Sequence, residues 1–288
     1  MDNELQRQIL KWADGNTRLA RGLGEGLGHV FAYVGEGLRK GILAVAKNNI
    51  QLMRGLGLGM GLQFKYLGKM FQEKTLEWAE NNSEFARGLG EGIGLIFAYA
   101  DTELLRSVFK LAEKGSQFAY GLGDGLGYAL AYVGEEREKE VLRLMKRNSK
   151  FAYGLGNGLG HTFLYRSKTL QKQVWRYADW NNHLASGLGF GLSNLGRLDA
   201  KLRKEIYRHT RNDGFAYGLG LGSGYTITSL DKDIQKKSFM LAKRNFQFAK
   251  GFSAGLSQSF KYLDHTLQKK ILKQTKGNRK LAKLLRSL

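Results

Sequence analysis

The sequence predicts an all-α protein, an α-solenoid of eight two-helix repeats with a period of about 33 residues. A degenerate glycine motif, Gly-Leu-Gly-x-Gly-Leu-Gly, recurs eight times at a constant interval, except that one interval is shorter by two positions. Each copy follows a segment whose apolar residues have helical spacing. A period of this length is typical of helix pairs that stack on their neighbours. The motif begins at Gly22, Gly55, Gly88, Gly121, Gly154, Gly187, Gly218 and Gly251.

The first helix of each repeat, helix A, is predicted from apolar side chains three or four residues apart, such as Leu104, Val108 and Ala112. We expect it to end at a column of Asn and Gly, because these residues adopt the left-handed conformation that closes many helices. This column reads Asn16, Asn49, Asn82, Gly115, Asn148, Asn181, Asn212, Asn245 and Asn278. The next column should then supply N-caps for the second helix, through Thr17, Ser83, Ser116, Ser149, Asn182 and Asp213.

The second helix, helix B, is expected to run through the glycine motif to a tyrosine, at Tyr33, Tyr66, Tyr99, Tyr132, Tyr165 and Tyr262. Glycine inside a helix costs about 0.5–1 kcal/mol relative to alanine, so a compensating contact is required. At about 100° per residue, the first and third glycines lie on one flank of the helix, and the second and fourth lie on the opposite flank. We therefore expect close glycine packing between successive B helices, which would form the concave inner surface. A glycine-rich loop in each repeat is the competing interpretation.

The whole chain, 1–288, is expected to form a single helical-repeat domain. The two-residue deletion that shortens one interval falls between Ser193 and Asn212, and it predicts a local irregularity that does not interrupt the fold. Residues 278–288 keep the apolar positions of a B helix but replace its glycines with Lys and Arg. We interpret them as a basic C-terminal cap, with an amphipathic membrane or partner helix as the alternative.

Charge is distributed unevenly along the chain. Lys and Arg exceed Asp and Glu by 46 to 25, a formal net charge of +21. Residues 1–150 are near neutral at +3, whereas residues 151–288 carry +18. Such an excess attracts polyanions, with phosphate backbones as the leading candidate and anionic membranes second. The predicted polyanion-binding residues are Lys168, Lys172, Arg176, Lys201, Arg203, Lys204, Arg208, Arg211, Lys236, Lys237, Lys243, Arg244, Lys269, Lys270 and Lys273.

A second candidate surface is the concave face. At equivalent positions of helix B the residue type differs from repeat to repeat while the glycine motif is kept, as in the binding surfaces of repeat proteins. The ligand candidates there are Arg21, Arg54, Arg87, Tyr120, Tyr153, Phe190, Tyr217, Tyr225 and Lys250. The competing interpretation is a solvated face. In that case Arg21 with Glu25, and Arg87 with Glu91, would form ion pairs four residues apart.

Several functional classes lose support. Without Cys there is no disulfide, thiol nucleophile or Cys-ligated metal. The Gly-x-Gly patterns lie within predicted helices with no preceding strand, which argues against a dinucleotide site. The five His show no metal-ligand spacing. We therefore expect no enzyme activity, no cofactor and no metal. With no signal-peptide pattern and no apolar run as long as a spanning helix needs, we also expect a cytoplasmic protein without a transmembrane segment.

The repeat length matches tetratricopeptide and ankyrin arrays, but the signature residues of those families are absent. We therefore expect a non-catalytic protein that binds RNA or DNA, or associates with a ribonucleoprotein, through phosphate contacts in its C-terminal half. The alternative is a protein-interaction scaffold that holds a peptide, a helix or an acidic partner in its concave face.

Overall fold

The computed structural model describes residues 15–193, 200–260 and 265–275. Over these ranges the secondary structure consists of α-helices and short 3-10 turns, without a strand, so the all-α prediction is confirmed. No helix within them has the length and apolar character needed to cross a membrane. The predicted irregularity falls largely on 194–199, and the predicted cap on 278–288; both segments lie outside the described residues.

The helices alternate between two kinds, which we call B helices (odd numbers) and A helices (even numbers). In chain order they are α1 (Thr17–Val30), α2 (Glu36–Ala46), α3 (Ile50–Gln63), α4 (Lys69–Asn81), α5 (Ser83–Leu95), α6 (Thr102–Lys114), α7 (Ser116–Ala129), α8 (Glu135–Arg147), α9 (Ser149–Thr162), α10 (Lys168–Trp180), α11 (Asn182–Gly191), α12 (Ala200–His209), α13 (Asp213–Tyr225), α14 (Lys232–Arg244), α15 (Phe246–Ser259) and α16 (His265–Thr275). Neighbouring helices pack in pairs, which is consistent with a helical repeat.

The chain forms two compact units, residues 1–155 (unit 1) and residues 156–288 (unit 2), which are described separately. In unit 1, helices α1, α3, α5 and α7 pack against one another in chain order, and in unit 2 α11, α13 and α15 do the same. The backbones of these consecutive B helices approach closely, whereas consecutive A helices have few Cα atoms within 8 Å of each other.

Phenylalanine side chains form the core of each unit. Phe85, Phe118 and Phe151 are buried on the B helices of unit 1, and Phe215 and Phe248 hold the same position in unit 2. The A helices contribute the fully buried Val108, Ala112 and Val174 to this core, and also large rings, since the ring centroid of Trp78 lies 6.3 Å from that of Phe85 and the ring centroid of Trp175 lies 5.2 Å from that of Phe215.

The predicted helix caps need a partial correction. Helices α4, α6, α8, α10 and α14 end at the Asn column as predicted, but its Asn side chains also cap the start of the following helix B. The backbone of Asn49 is extended, and its Oδ1 accepts hydrogen bonds from the N–H groups of Gln51 and Leu52, both at 3.0 Å. No described residue has a positive φ, so the left-handed closure is wrong. The predicted caps Thr17, Ser83, Ser116, Ser149, Asn182 and Asp213 are the first helical residues. At four of these junctions a single residue separates the two helices, for example Asn82 between α4 and α5, so the same residue ends one helix and caps the next.

The B helices also end earlier than predicted. After α3, α5, α7 and α9 the chain tightens into a 3-10 turn whose final residue is the tyrosine, as in Phe64–Tyr66, which follows α3. This turn buries its first residue and exposes its last. Glutamine side chains on the A helices hold three 3-10 turns by donating to the carbonyl eight residues earlier, from Gln72 to Phe64, Gln171 to Phe163 and Gln235 to Ile227, and Gln268 makes the same bond to Phe260 at the end of α15.

The motif glycines lie where B helices meet. On α5, a Cβ atom added to Gly88 or Gly92 would lie less than 3 Å from a backbone carbonyl oxygen of α3, and one on Gly90 or Gly94 would meet α7 in the same way. Real Cβ atoms do not approach so closely, so only glycine fits. Main chains in contact gain dispersion and Cα–H···O interactions, which offset the low helix propensity of glycine.

Candidate nucleic-acid interface

The predicted polyanion-binding residues lie on the A helices of unit 2. Arg203 is half-buried, and the side chain of Lys270 lies outside the described part. The others are exposed, on α10 (Lys168, Lys172, Arg176), on α12 and just after it (Lys201, Lys204, Arg208, Arg211), on α14 (Lys236, Lys237, Lys243, Arg244) and on α16 (Lys269, Lys273). Four consecutive A helices therefore present positive charge to solvent.

Four of these cations share one position in the period of the sequence. Lys172, Arg203, Lys236 and Lys269 each lie nine residues before the Asn column. Lys172, Lys236 and Lys269 are each the fifth residue of their helix, α10, α14 or α16, and Arg203 is the fourth described residue of α12. We call them the basic row. One cation per repeat is the arrangement that a regularly spaced polyanion requires.

The basic row is not neutralised by carboxylates. Within the described residues, none of the predicted polyanion-binding side chains of unit 2 has a carboxylate within 4 Å. The equivalent lysines of unit 1 differ, since Lys40 pairs with Glu36 at 2.9 Å and Lys139 with Glu136 at 2.8 Å. Unit 2 therefore holds its positive charge available for an external partner.

The concave-face candidates of unit 1 are joined to one another. Arg21 and Arg54 each contact one oxygen of the buried Glu91 carboxylate, the latter at 3.0 Å, so one side chain connects α1, α3 and α5. The predicted pairs of Arg21 with Glu25 and of Arg87 with Glu91 are not the ion pairs formed. Glycine packing brings the B helices so close that a carboxylate reaches Arg side chains of neighbouring helices.

Aromatic side chains continue this connected strip. The Arg87 guanidinium lies 4.3 Å from the centroid of the Tyr120 ring, which lies 5.8 Å from the ring of Tyr153. Burial raises the pKa of Tyr120, and burial with the nearby Asp124 and Glu91 carboxylates raises the pKa of Tyr128 to about 12. Both phenols therefore stay neutral at physiological pH.

The B-helix column that lies one turn after Arg54, Arg87, Tyr120 and Tyr153 is partly buried. It contains Leu58, Glu91, Asp124 and Asn157, which are all inaccessible or nearly so. The close approach of the B helices lets side chains of the flanking columns cover it. Of the remaining concave-face candidates, Phe190 and Tyr217 are half-buried, whereas Tyr225 and Lys250 are exposed.

No group of three or more His, Asp or Glu side chains among the described residues has the geometry of a metal site. His209 has a structural environment, because its ring stacks on the Trp175 indole with centroids 3.6 Å apart and planes 5° apart. Burial lowers the pKa of His209, which keeps the imidazole neutral. The chemistry that these surfaces offer is therefore that of charge and stacking. No protein-family model, no curated protein and no solved structure matches this chain.

Proposed function

We propose that this protein is a non-catalytic nucleic-acid-binding or ribonucleoprotein-associated helical-repeat protein. In this proposal, phosphate groups contact the exposed A helices of unit 2, α10, α12, α14 and α16. The observation that carries the proposal is the basic row, with one cation at the same position of the period on four consecutive A helices and, within the described residues, no neutralising carboxylate beside it. A cytoplasmic location is part of the proposal, because the chain has no Cys.

The geometry suits a phosphate backbone. A helices usually pack about 8–10 Å apart, so a row across four of them extends for about 25–30 Å. This length approaches one turn of duplex DNA, about 34–36 Å. Each Lys or Arg that neutralises a phosphate releases a condensed counterion, so affinity falls steeply as salt rises. Such contacts position a nucleic acid without reading its sequence.

The proposal includes a finer architecture than the pairwise packing. We propose eight 33-residue repeats whose glycine-faced B helices form the inner, concave side and whose A helices form the outer side. The close main-chain approach at the glycines and the wider separation of A helices support it. The basic row then lies on the outer surface, and the nucleic acid runs along the outside of the array.

The scaffold alternative, with a peptide, helix or acidic partner held on the B helices, receives less support. It requires the polar B-helix side chains to be available to a ligand. Arg21 and Arg54 are joined to Glu91, and Arg87 lies over Tyr120. A ligand would have to displace these contacts before it gained any of its own.

The test is binding of labelled RNA and duplex DNA to the full chain at two salt concentrations. The variant Lys172→Gln with Lys236→Gln removes two charges of the basic row. The matched control, Lys40→Gln with Lys139→Gln, removes two charges at the same helix position in unit 1, where both lysines are ion-paired.

We expect the first pair to weaken binding about tenfold or more near physiological salt. It should also reduce the slope of log K against log salt by about two, because each lost phosphate contact removes about 0.9. The control pair should change affinity less than about threefold. Equal losses in the two variants, or no binding by the wild-type protein at low salt, would refute the proposal.

A further inference from the structure

The tyrosines in the turns that follow the B helices form an exposed column in unit 1. Tyr33, Tyr66, Tyr99 and Tyr132 recur at the period of the repeat, and each ring is 64–74% exposed. Tyrosines in folded proteins are usually half-buried. Four equivalent rings in solvent do little for the core, and aromatic side chains of this kind are enriched where proteins bind partners.

The protein itself shows what fits between two of these rings. The Lys65 ammonium lies 4.7 Å from the centroid of the Tyr66 ring and 5.4 Å from that of Tyr99. Both distances are within the range of about 6 Å for cation–π attraction. The protein therefore already places a lysine ammonium in the notch between two successive tyrosines.

The next notch, between Tyr99 and Tyr132, has no such lysine of its own. The residue at the position of Lys65 is Ala98, whose side chain ends at Cβ. The cation that bonds to this turn is Arg137, which donates to the carbonyl oxygens of Phe97, Ala98 and Ala100 and so faces the main chain.

The surroundings of this notch are acidic, in a chain with a net charge of +21. The segments 97–106 and 130–140 contain six carboxylates and three cations. Glu103 and Glu136 are exposed and form ion pairs with Lys69 and Lys139, while Asp101 caps α6 through Leu104. Exposed surface ion pairs are weak and are readily exchanged for other partners.

We propose that the notch between Tyr99 and Tyr132 binds a lysine side chain from a basic segment of a partner protein. The two ring faces attract the ammonium, and Asp101, Glu103, Glu135 and Glu136 attract its basic neighbours. A polyanion is disfavoured here by the same carboxylates. The inference is independent of the proposed nucleic-acid interface, which lies in unit 2.

The test is titration of the full chain with a labelled 12-residue lysine-rich peptide and with a matched peptide in which every Lys is Gln. We expect Tyr132→Leu to weaken binding of the lysine peptide about two- to fivefold, because one cation–π contact at an exposed site is lost. Tyr132→Phe should bind like the wild type, since it keeps the ring face. The control Tyr165→Leu, at the equivalent and exposed position of unit 2, should have no effect.

A second variant tests occupancy of the notch. Ala98→Lys places a lysine where Lys65 stands in the preceding repeat, so its own ammonium should fill the notch and weaken peptide binding at least fivefold. Ser107→Lys adds the same charge at an exposed site of α6 and should have a smaller effect.

Three outcomes would overturn the proposal: equal binding of the lysine and glutamine peptides, no loss in Tyr132→Leu, or equal losses in Ala98→Lys and Ser107→Lys. An effect of Tyr132→Leu on oligonucleotide or anionic-vesicle binding in place of peptide binding would also overturn it. The variant of Lys172 and Lys236 should leave peptide binding unchanged, so the two proposals can fail separately.

Discussion

Asn148 Nδ2 donates a 2.8 Å hydrogen bond to the carbonyl oxygen of Ala112, near the end of α6, while its Oδ1 accepts from the N–H of Phe151. The same side chain thus caps one helix and ties it to the A helix of the preceding repeat. Asn212 and Asn245 make the equivalent bonds, to Ala178 and Thr210. The Asn side chain has both a donor and an acceptor, whereas an ionised Asp side chain has acceptors only.

Replacement of Asn148 separates the two roles. Asn148→Asp keeps the cap and loses the donor, so we expect a loss of about 0.5–1.5 kcal/mol in the free energy of unfolding. Asn148→Ala loses both and should cost about 1–3 kcal/mol. Asn16 accepts from Arg18 and Leu19 and has no described donor bond, so Asn16→Asp should be near neutral. Urea unfolding measures these differences. Equal effects at Asn16 and Asn148 would contradict the second role.

The third glycine of the motif provides a matched pair for the close packing of B helices. A Cβ on Gly59 of α3 would lie less than 3 Å from main-chain atoms of Glu25 and Gly28, whereas one on Gly26 of α1 meets nothing within 4 Å. We expect Gly59→Ala to destabilise by at least about 2 kcal/mol through overpacking. Gly26→Ala should stabilise by about 0.5–1 kcal/mol through helix propensity. Thermal unfolding of the two variants checks both signs, and a stable Gly59→Ala would show that the helices can separate without loss.

Glu91 is expected to matter for stability more than other carboxylates of unit 1. Glu91→Gln leaves Arg21 and Arg54 without their shared partner, so we expect a loss of about 1–3 kcal/mol, largest at low salt. The control Glu36→Gln breaks an exposed pair with Lys40 and should cost no more than about 0.5 kcal/mol. Chemical unfolding at low and high salt compares the two. Similar losses would mean that the partly buried position of Glu91 adds nothing.

His209 should make stability depend on pH. Its pKa is lowered in the folded protein by burial, so below a pH of about 6.5 the unfolded chain binds the proton more readily than the folded one. The free energy of unfolding should therefore fall as the pH drops from about 6.5 through the folded pKa. His209→Phe keeps an aromatic ring against Trp175 and has no proton to bind, so its loss of stability between pH 8 and pH 5 should be smaller. Parallel slopes for the two proteins would refute this role.

Much of the fold follows from the period of the sequence. The glycine flanks follow from about 100° per residue, and the structure has the first and third glycines facing the preceding B helix. The caps are harder to assign, because an Asn or Gly between two helices can mark either the end of helix A or the start of helix B. The next column contains Ile50 and Phe246, which cannot cap a helix, and this signal favours the Asn column.

The candidate site is only partly predictable. The exposed cations of unit 2 follow from composition, and their alignment into a row follows once the Asn column fixes the register. The pairing of Arg21 with Glu91 cannot be foreseen, because 70 residues separate them and the contact depends on how closely α1, α3 and α5 approach. The cation–π contacts of Lys65 equally depend on where two turns place their rings.

The B helices contact each other through main-chain atoms at their glycines. The packing between two repeats therefore depends little on the other side chains that each repeat carries. Residues that hold the array together are thereby separated from residues that face solvent. A duplicated repeat fits beside its parent at once, and its surface can then diverge without repacking the contact between B helices. Such modularity lets one half of the chain accumulate positive charge while the other half stays near neutral, although both halves keep the same glycine motif.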